Sequence, residues 1–293
     1  MDKRQDDCRL LLSPGQRFLL LLCVLLLSWV VGNVLNGIII SWFGMSTRVL
    51  RIASVLQSMI QIILPSIVTV MMISRRPARF LEVDRSPGLL PVLTGILLLV
   101  AAVPALNYII HWNASLQLPD ALQGVEEWMR KAEESADNTI AIMQGGKSVG
   151  DLILNIMIIG IMAGLGEELL FRGTLQRMLS TSGMNPHLSI WLVAVLFSAI
   201  HMQFFGFVPR MLLGALFGYL LYWSGSLWLP VIVHASNNIM YVTARWFAQQ
   251  SDRTENAVDT IGTVPDEYLY AVASVFVTAA LLCFLRKVCK KSS

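Results

Sequence analysis

The sequence predicts an all-α membrane protein, a polytopic bundle of about eight transmembrane helices. Hydrophobic residues make up 55% of the 293 residues and charged residues only 14%, whereas soluble domains carry about a quarter charged residues. Apolar runs of about 20 residues, enough to cross ~30 Å of hydrocarbon, recur along the chain. The predicted spans are 18–42, 52–74, 88–111, 152–173, 187–203, 207–224, 226–247 and 268–286.

The distribution of lysine and arginine predicts which side of the membrane each loop faces. In an eight-span protein most of the basic residues near the spans fall on one side: Lys3, Arg4, Arg9, Arg17, Arg75, Arg76, Arg79, Arg85, Arg286, Lys287, Lys290 and Lys291. Arg48 and Arg51, between the first two spans, are the exception. We expect a multi-pass protein of the cell inner membrane with both termini in the cytoplasm. The net charge of +3 gives no reason to expect nucleic acid as a partner.

The order of the spans predicts three regions. Residues 1–150 hold three N-terminal spans and an outer loop, 151–247 hold a core of four spans, and 248–293 hold a second outer loop, the last span and a basic tail. In the first outer loop, residues 118–135 carry apolar side chains at helical spacing among carboxylates. This pattern predicts a short amphipathic helix, lying either on the outer membrane surface or over the bundle.

Three ionisable residues lie together in the fourth span, in the segment Glu167-Glu168-Leu-Leu-Phe-Arg172. Each such group costs roughly 2.5–3.5 kcal/mol at membrane depth, so a cluster of them indicates function. Glu168 and Arg172 are four residues apart and are expected to pair on one helix face. Glu167 points about 100° away and has no helical partner, as suits a general base. A purely structural Glu–Arg clamp would leave Glu167 unexplained.

Two of the four histidines lie inside predicted spans. His201 follows Phe197 by four residues in the fifth span, and His234 lies in the seventh. A single histidine in an apolar helix usually hydrogen-bonds a neighbouring helix, but two of them beside a glutamate pair indicate a site. His234 and Asn238 are four residues apart, so they offer two donors to one point, as an oxyanion hole requires.

These motifs, Glu-Glu-x-x-x-Arg, Phe-x-x-x-His and His-x-x-x-Asn, occur in this order on separate helices. They resemble the motifs of the CAAX-protease and bacteriocin-processing enzyme family of intramembrane proteases, to which the eukaryotic prenyl-protein endopeptidase belongs. The resemblance covers roughly Asp151 to Trp246, so region 151–247 is expected to be the catalytic core. The compact size and short loops are similar to those of bacterial members.

The resemblance implies a role for each motif residue. Glu167 matches the glutamate that activates the hydrolytic water, and His201 matches its partner in holding that water. His234 and Asn238 match the pair that steadies the tetrahedral oxyanion. The matching supporting residues are Glu168 and Arg172. The implied function is an intramembrane endopeptidase that hydrolyses a peptide bond of a membrane-associated or lipidated protein or peptide.

Several alternatives stay open at this point. A glutamate and a histidine can activate water without a cofactor, or Glu167, His201 and His234 can hold a catalytic zinc ion. A non-catalytic membrane scaffold or bacteriocin-immunity protein of the same fold would carry the same residues. A proton-coupled transporter is disfavoured, because its ionisable groups would be expected in two matching halves of the chain. Counting along the helices predicts a site in the inner half of the bilayer, with substrate entering from the cytoplasmic side or the inner leaflet.

Overall fold

A computed structural model describes residues 10–250 and 261–291, which form helices joined by short connections. The all-α membrane bundle predicted from the sequence is confirmed. The helices are α1 (Pro14–Phe43), α2 (Thr47–Ile73), α3 (Pro77–Phe80), α4 (Leu89–Ala114), α5 (Gln123–Met143), α6 (Val149–Thr181), α7 (Pro186–Ala199), α8 (Phe207–Ser224), α9 (Trp228–Gln250) and α10 (Tyr268–Lys291). Five of the basic residues used above to predict orientation lie outside the described side chains: Lys3, Arg4, Arg9, Lys290 and Lys291.

Six of the described segments are helical, long and apolar enough to cross a membrane: α1, α2, α4, α6, Phe204–Ser224 with α8, and α10 through Cys289. The fifth and seventh predicted spans are different. Helix α7 has 14 residues, about 21 Å at 1.5 Å per residue, which is shorter than the hydrocarbon core. Helix α9 has 23 residues but carries a polar run from His234 to Asn238. The count of eight crossings therefore stays a prediction.

Local capping chemistry sets the helix ends. Helix α6 starts after Ser148, whose hydroxyl accepts from the backbone N–H of Asp151 while the Asp151 carboxylate accepts from Ser148 in return. The side chain of Asn185 caps α7, with Pro186 at the first helical position. Helix α8 ends at Gly225, which takes the left-handed conformation with φ 60°.

Helix α6 is irregular on both sides of its glutamates. Two π-helical segments, Ile156–Met162 and Leu169–Gln176, flank a short α-helical segment, Ala163–Glu168, which contains both glutamates. Wide turns of this kind are rare and occur mostly at functional sites, because they redirect side chains within a helix. The local geometry of α6 therefore marks the same residues as the charge pattern.

Glycines bring the helices around the glutamates close together. A Cβ atom added to Gly160 of α6 would lie 2.7 Å from Ile239 Cγ1 on α9. A Cβ atom added to Gly164 would lie 3.2 Å from the backbone nitrogen of Ala235, also on α9. Helix α8 approaches α7 in the same way, since an added Cβ on Gly214 would lie 3.3 Å from the Cα of Ala194. Small residues permit this close approach of helix backbones in membranes.

Helix α5 is the amphipathic helix predicted at 118–135, and it extends to Met143. It packs over the connection between α7 and α8. The Arg130 guanidinium lies 4.1 Å from the ring centroid of Phe205, and Glu133 accepts a hydrogen bond of 3.1 Å from the Phe205 backbone. Asp137 accepts a hydrogen bond of 3.1 Å from Gln203. Of the two predicted placements, the structure has the one over the bundle.

Arg51, the exception in the charge distribution, is bound by neighbouring elements. Its guanidinium donates to Asp151 Oδ1 at 2.7 Å, to Asn155 Oδ1 at 3.1 Å and to the carbonyl of Gly145 at 2.9 Å. The side chain therefore joins α2 to the start of α6 and to the end of α5. These contacts give Arg51 a structural role, which explains why an arginine lies at the end of the bundle whose loops are otherwise acidic.

The two ends of the bundle differ in charge. We call the end that contains the 74–88 connection, the α6–α7 and α8–α9 turns and the C-terminus of α10 the basic end. The opposite end, covered by α5, is the α5 end. At the basic end, residues 82–85 cover the α8–α9 turn: Leu227 N donates to Glu82 O at 2.9 Å, and Ser226 Oγ donates to Arg85 O at 2.6 Å. The start of α9 is thus covered by protein.

The close approach of α6 and α9 can be tested at Gly164. We expect Gly164→Ala to lower thermal stability in detergent by about 1–3 kcal/mol, because the added methyl group overpacks against the α9 backbone. The matched control is Gly37→Ala in α1, where nothing lies within 4 Å of an added Cβ. Its melting temperature should be unchanged or slightly raised. Equal destabilisation by both substitutions would contradict the packing described here.

Candidate active site

The pair predicted from the i, i+4 spacing is present in the interior of the bundle. Arg172 Nη1 donates to Glu168 Oε1 at 2.8 Å, and both side chains are completely buried. Arg172 Nη2 donates to the Gly214 carbonyl of α8 at 2.9 Å. The guanidinium also lies 4.6 Å from the ring centroid of Phe197 and 5.4 Å from that of Phe217. Aromatic faces stabilise a buried cation where a hydrogen-bond partner is lacking.

His234 joins the buried pair to the second glutamate. Its Nδ1 lies 2.7 Å from Glu168 Oε1, and its ring stacks on Phe217 with centroids 4.6 Å apart. Because Glu168 Oε1 already accepts from Arg172, it acts as an ionised acceptor and Nδ1 carries the hydrogen. The lone pair of neutral His234 is therefore on Nε2, which lies 3.7 Å from Glu167 Oε2.

His201 occupies a turn just after α7, although the sequence placed it within the fifth span. Its Nδ1 lies 2.7 Å from the carbonyl oxygen of Phe197. This carbonyl is in the last turn of α7, where helix carbonyls lack intrahelical partners, so the imidazole satisfies one as the helix ends. A carbonyl only accepts, so Nδ1 carries the hydrogen and Nε2 has the lone pair.

Glu167 lies between the two histidines. Its Oε2 atom is 4.0 Å from His201 Nε2 and 3.7 Å from His234 Nε2, so it bonds neither imidazole directly. The side chains of His201 and Glu167 are 27% and 18% exposed, whereas that of His234 is 6% exposed. The exposed fraction of the side chains therefore increases from the buried pair towards Glu167 and His201. Separations of 3.7 and 4.0 Å can be bridged by one water molecule that hydrogen-bonds both groups.

Asn238 lies one helical turn after His234 on α9, as its spacing predicts. Its Nδ2 donates to the carbonyl of Ile159 at 3.2 Å, in a π-helical segment of α6. An amide nitrogen carries two hydrogens, so one is left for a second acceptor. His234 differs from the sequence-based expectation of a ready donor, because its Nε2 can donate only after the imidazole gains a proton.

Glu167, His201 and His234 carry the donor atoms that would hold a zinc ion at this site. Zinc bound to nitrogen and carboxylate oxygen at about 2.0–2.2 Å in tetrahedral geometry places its ligand atoms roughly 3.2–3.5 Å apart. The two separations from Glu167 Oε2 are wider, at 3.7 and 4.0 Å. Within residues 10–250 and 261–291, no three His, Cys, Asp or Glu side chains are arranged to hold a metal ion. These side chains would have to move closer together to bind a zinc ion.

Sequence analysis did not single out Arg210, in the first turn of α8. Its Nη2 donates to Gln203 Oε1 at 2.6 Å and its Nη1 to the Gln203 carbonyl at 3.3 Å. The guanidinium interacts electrostatically with Glu167 and with Glu133 of α5. It thus braces the connection that carries His201 and places a positive charge near the site. In the sequence, the position of Arg210 as a single arginine at the start of an apolar span could have indicated a role near the site.

The residue count along each helix gives the position of the site between the two ends of the bundle. Glu167 is 14 residues before the end of α6 at Thr181, or about 21 Å from the basic end. His201 follows the end of α7 that faces α5, and α5 packs on the residues directly after it. His201 therefore lies towards the α5 end, whereas Glu167 is closer along α6 to Thr181 than to Val149. The side from which a substrate enters stays a prediction.

Taken together, the apolar helices and this buried carboxylate–histidine centre define a multi-pass membrane protein with an intramembrane polar site. Residues 149–240 match the family model described as type II CAAX prenyl endopeptidase Rce1-like. All six motif residues fall inside the matched segment, and the predicted family resemblance is confirmed over it. The segment is less than half of the chain.

One curated relative matches part of the chain. The "Uncharacterized protein YpbD" of Bacillus subtilis (strain 168) is 27% identical over 86 residues, which are 28% of this chain and 41% of that protein. The chain thus matches less than half the length of this relative. No solved structure matches the chain.

The buried pair gives a prediction about stability. Glu168→Ala or Arg172→Ala should destabilise the protein by roughly 3–5 kcal/mol, because each leaves a charge buried without its partner. The matched controls are Glu127→Ala and Lys131→Ala, at exposed positions four residues apart on α5. Both substitutions should leave the melting temperature unchanged, since exposed charges contribute little. Melting curves in one detergent would compare the four variants, and similar shifts in both pairs would contradict the burial argument.

Proposed function

We propose that this protein is an intramembrane endopeptidase in which Glu167 and His201 activate a water molecule for attack on a peptide bond. The observation that carries the proposal is the convergence of two histidine Nε2 atoms on one Glu167 oxygen, at 3.7 and 4.0 Å. The match of residues 149–240 to an endopeptidase family supports the same reaction class. The fold alone would not assign an activity, so the site must carry the argument.

In the first step, a water molecule between Glu167 and His201 attacks the carbonyl carbon of the scissile bond. Glu167 takes one proton from the water as its oxygen forms the new C–O bond. His201 Nε2 accepts a hydrogen bond from the other water hydrogen and so orients the nucleophile. The hydrogen bond to the Phe197 carbonyl holds His201 in the tautomer that this step needs.

In the second step, the negative charge moves from Glu167 to the oxygen of the tetrahedral intermediate. The free N–H of Asn238 is one donor to this oxyanion. His234 becomes the other donor if the proton passes from Glu167 to its Nε2, since Glu168 stabilises the imidazolium through Nδ1. When the intermediate collapses, the C–N bond breaks and the same proton goes to the leaving amine.

The substrate class proposed is a membrane-associated or lipidated protein or peptide. The site lies about 21 Å along α6 from the basic end, so a substrate has to approach within the bilayer or through a water-filled opening. The exposure of Glu167 and His201 favours an approach from the α5 end or sideways from the lipid. Prenylated tails are included because the matched family is described as a prenyl endopeptidase.

Substitution of the base tests the activity. In proteoliposomes, Glu167→Gln and His201→Ala should each reduce cleavage by on the order of 10²–10⁴-fold, because the general base or its partner is removed. An internally quenched peptide with a prenylated cysteine near its C-terminus is one probe, and the unprenylated peptide is the other. Glu127→Gln on α5 and His111→Ala at the end of α4 are exposed controls and should retain wild-type rates.

The same assay separates the rival readings. Near wild-type turnover by Glu167→Gln would show that another group is the base. If wild-type protein leaves both probes intact, membrane proteomes that contain wild-type or Glu167→Gln protein are compared. A fragment present only with wild-type protein would indicate an enzyme with another substrate, and identical proteomes would indicate a scaffold or immunity protein. Metal analysis of the purified proteins tests the zinc alternative. One zinc ion per chain in wild-type protein and none in His201→Ala would favour it.

The proposed orientation has its own test. Single cysteines at Ser86, in the exposed connection at the basic end, and at Ser135, on exposed α5, should react with an impermeant thiol reagent from opposite sides. We expect Ser86→Cys to label from the cytoplasm, because arginines cluster in its connection. Ile200→Cys, exposed beside His201, should label from the same side as Ser135→Cys. Labelling of Ile200→Cys only from the Ser86 side would overturn the proposed approach route.

A further inference from the structure

A cavity of about 370 Å³ lies at the basic end, and none of the glutamates of the candidate active site lines it. It opens where the start of α7, the last turns of α8 and the end of α10 meet. The residues that line it are His187, Tyr219, Tyr222, Trp223 and Arg286. None of them has a role in the proposed hydrolysis.

The rings form a supported wall on one side of the cavity. Tyr219 stacks on Trp223 with centroids 5.2 Å apart. The His187 ring is 5.7 Å from that of Tyr219 and 5.6 Å from that of Tyr222. His187 Nδ1 also lies 3.1 Å from the Tyr219 hydroxyl oxygen. Mutual ring contacts of this kind limit side-chain motion, so the wall is formed before a ligand arrives.

The polar groups of the cavity are complementary to an anion. The lining residues include hydroxyl, indole and guanidinium donors and no aspartate or glutamate. When the Tyr219 hydroxyl donates to His187 Nδ1, the Nε2 atom of His187 carries a hydrogen as well. Arg286 makes no hydrogen bond or ion pair with the described part of the chain. A guanidinium without a carboxylate partner presents a planar set of donors that matches phosphate oxygens.

We propose that this cavity binds the phosphate group of an anionic membrane phospholipid. Arg286 would contact the phosphate, and the Tyr222 and Trp223 rings would lie beside the glycerol and the first acyl carbons. Aromatic residues are favoured at this depth because one side of the ring is apolar and the other is hydrated. Basic pockets between helices on the cytoplasmic side commonly bind anionic headgroups. The arginines of the basic end predict that this end, and the cavity with it, faces the cytoplasm.

Such a lipid would connect two parts of the protein. Helices α7 and α8 lie inside the segment that matches the endopeptidase family, whereas α10 lies outside it. Within the described residues α10 packs mainly on α4, and its end reaches α8 through a core that includes Leu285, Cys289 and Trp223. A phosphate bound by Arg286 on one side and by His187 on the other would join α10 to the core at the membrane surface.

Native mass spectrometry of the full chain tests the proposal directly. The protein is released from micelles that contain phosphatidylglycerol and phosphatidylcholine in equal amounts. We expect wild-type protein to retain one phosphatidylglycerol, and Arg286→Gln to bind it about 10–100-fold more weakly, as loss of charge-assisted hydrogen bonds predicts. Lys287→Gln is the matched control, since it removes one charge at the next residue without touching the cavity. It should stay within about twofold of wild type, because it removes no hydrogen bond of this kind.

Three outcomes would overturn the inference. Equal losses in Lys287→Gln and Arg286→Gln would show general attraction of anionic lipid to a basic surface. Equal retention of phosphatidylcholine would show that charge does not select the ligand. Displacement of phosphatidylglycerol by millimolar inorganic phosphate, with retention of that phosphate, would assign the cavity to a soluble anion. Unchanged melting temperatures of both variants in phosphatidylcholine exclude unfolding as the cause of lost binding.

Discussion

A single carboxylate oxygen, Oε1 of Glu168, organises the interior of this protein. It accepts from Arg172 at 2.8 Å on its own helix and from His234 at 2.7 Å on α9. Arg172 extends the connection to the Gly214 carbonyl of α8. Three helices thus meet at one charged junction with no exposure to solvent, where an unpaired ion would cost several kcal/mol. The junction fixes the His234 tautomer and thereby aims Nε2 at Glu167.

Phe197 supports the same arrangement from α7. Its carbonyl accepts from His201, its ring is 4.9 Å from that imidazole, and the same ring lies 4.6 Å from the Arg172 guanidinium. One residue therefore positions the exposed histidine and covers the buried cation. This gives a physical reason for the Phe-x-x-x-His spacing, because a residue four positions earlier supplies the carbonyl that the end of a helix leaves free.

Sequence reasoning found the helices and the motif residues because both leave strong local signals. Apolar runs gave the long helices, and the i, i+4 spacing gave the Glu168–Arg172 pair. It did not find the bond between Glu168 and His234, because these residues are 66 positions apart and only tertiary packing joins them. It also missed Arg210 and the turn at His201, since the end of α7 depends on a side-chain bond to its last carbonyls.

Two of the helices that carry the site, α7 and α9, are less suited to cross a membrane alone than the six long apolar helices. Helix α7 is short because the connection that holds His201 enters the bundle, and α9 is polar from His234 to Asn238 because its side chains form the site. Both depend on more apolar neighbours for burial. Helices α6 and α9 meet through Gly160 and Gly164, where backbone contact replaces side-chain packing. The positions with the weakest membrane signal are therefore those that carry the polar side chains of the candidate site.

Charge balance is consistent with the role of general base that we propose for Glu167. With neutral histidines, Glu167, Glu168 and Arg172 carry a net charge of −1, and Arg210 interacts electrostatically with Glu133 as well as with Glu167. Transfer of a proton from water to Glu167 leaves the net charge of the site unchanged, because the negative charge passes to the oxyanion. The Glu168–Arg172 pair keeps its charges throughout, so little of the buried environment has to reorganise. A preorganised site of this kind stabilises the developing charge more effectively than water, whose dipoles must reorient.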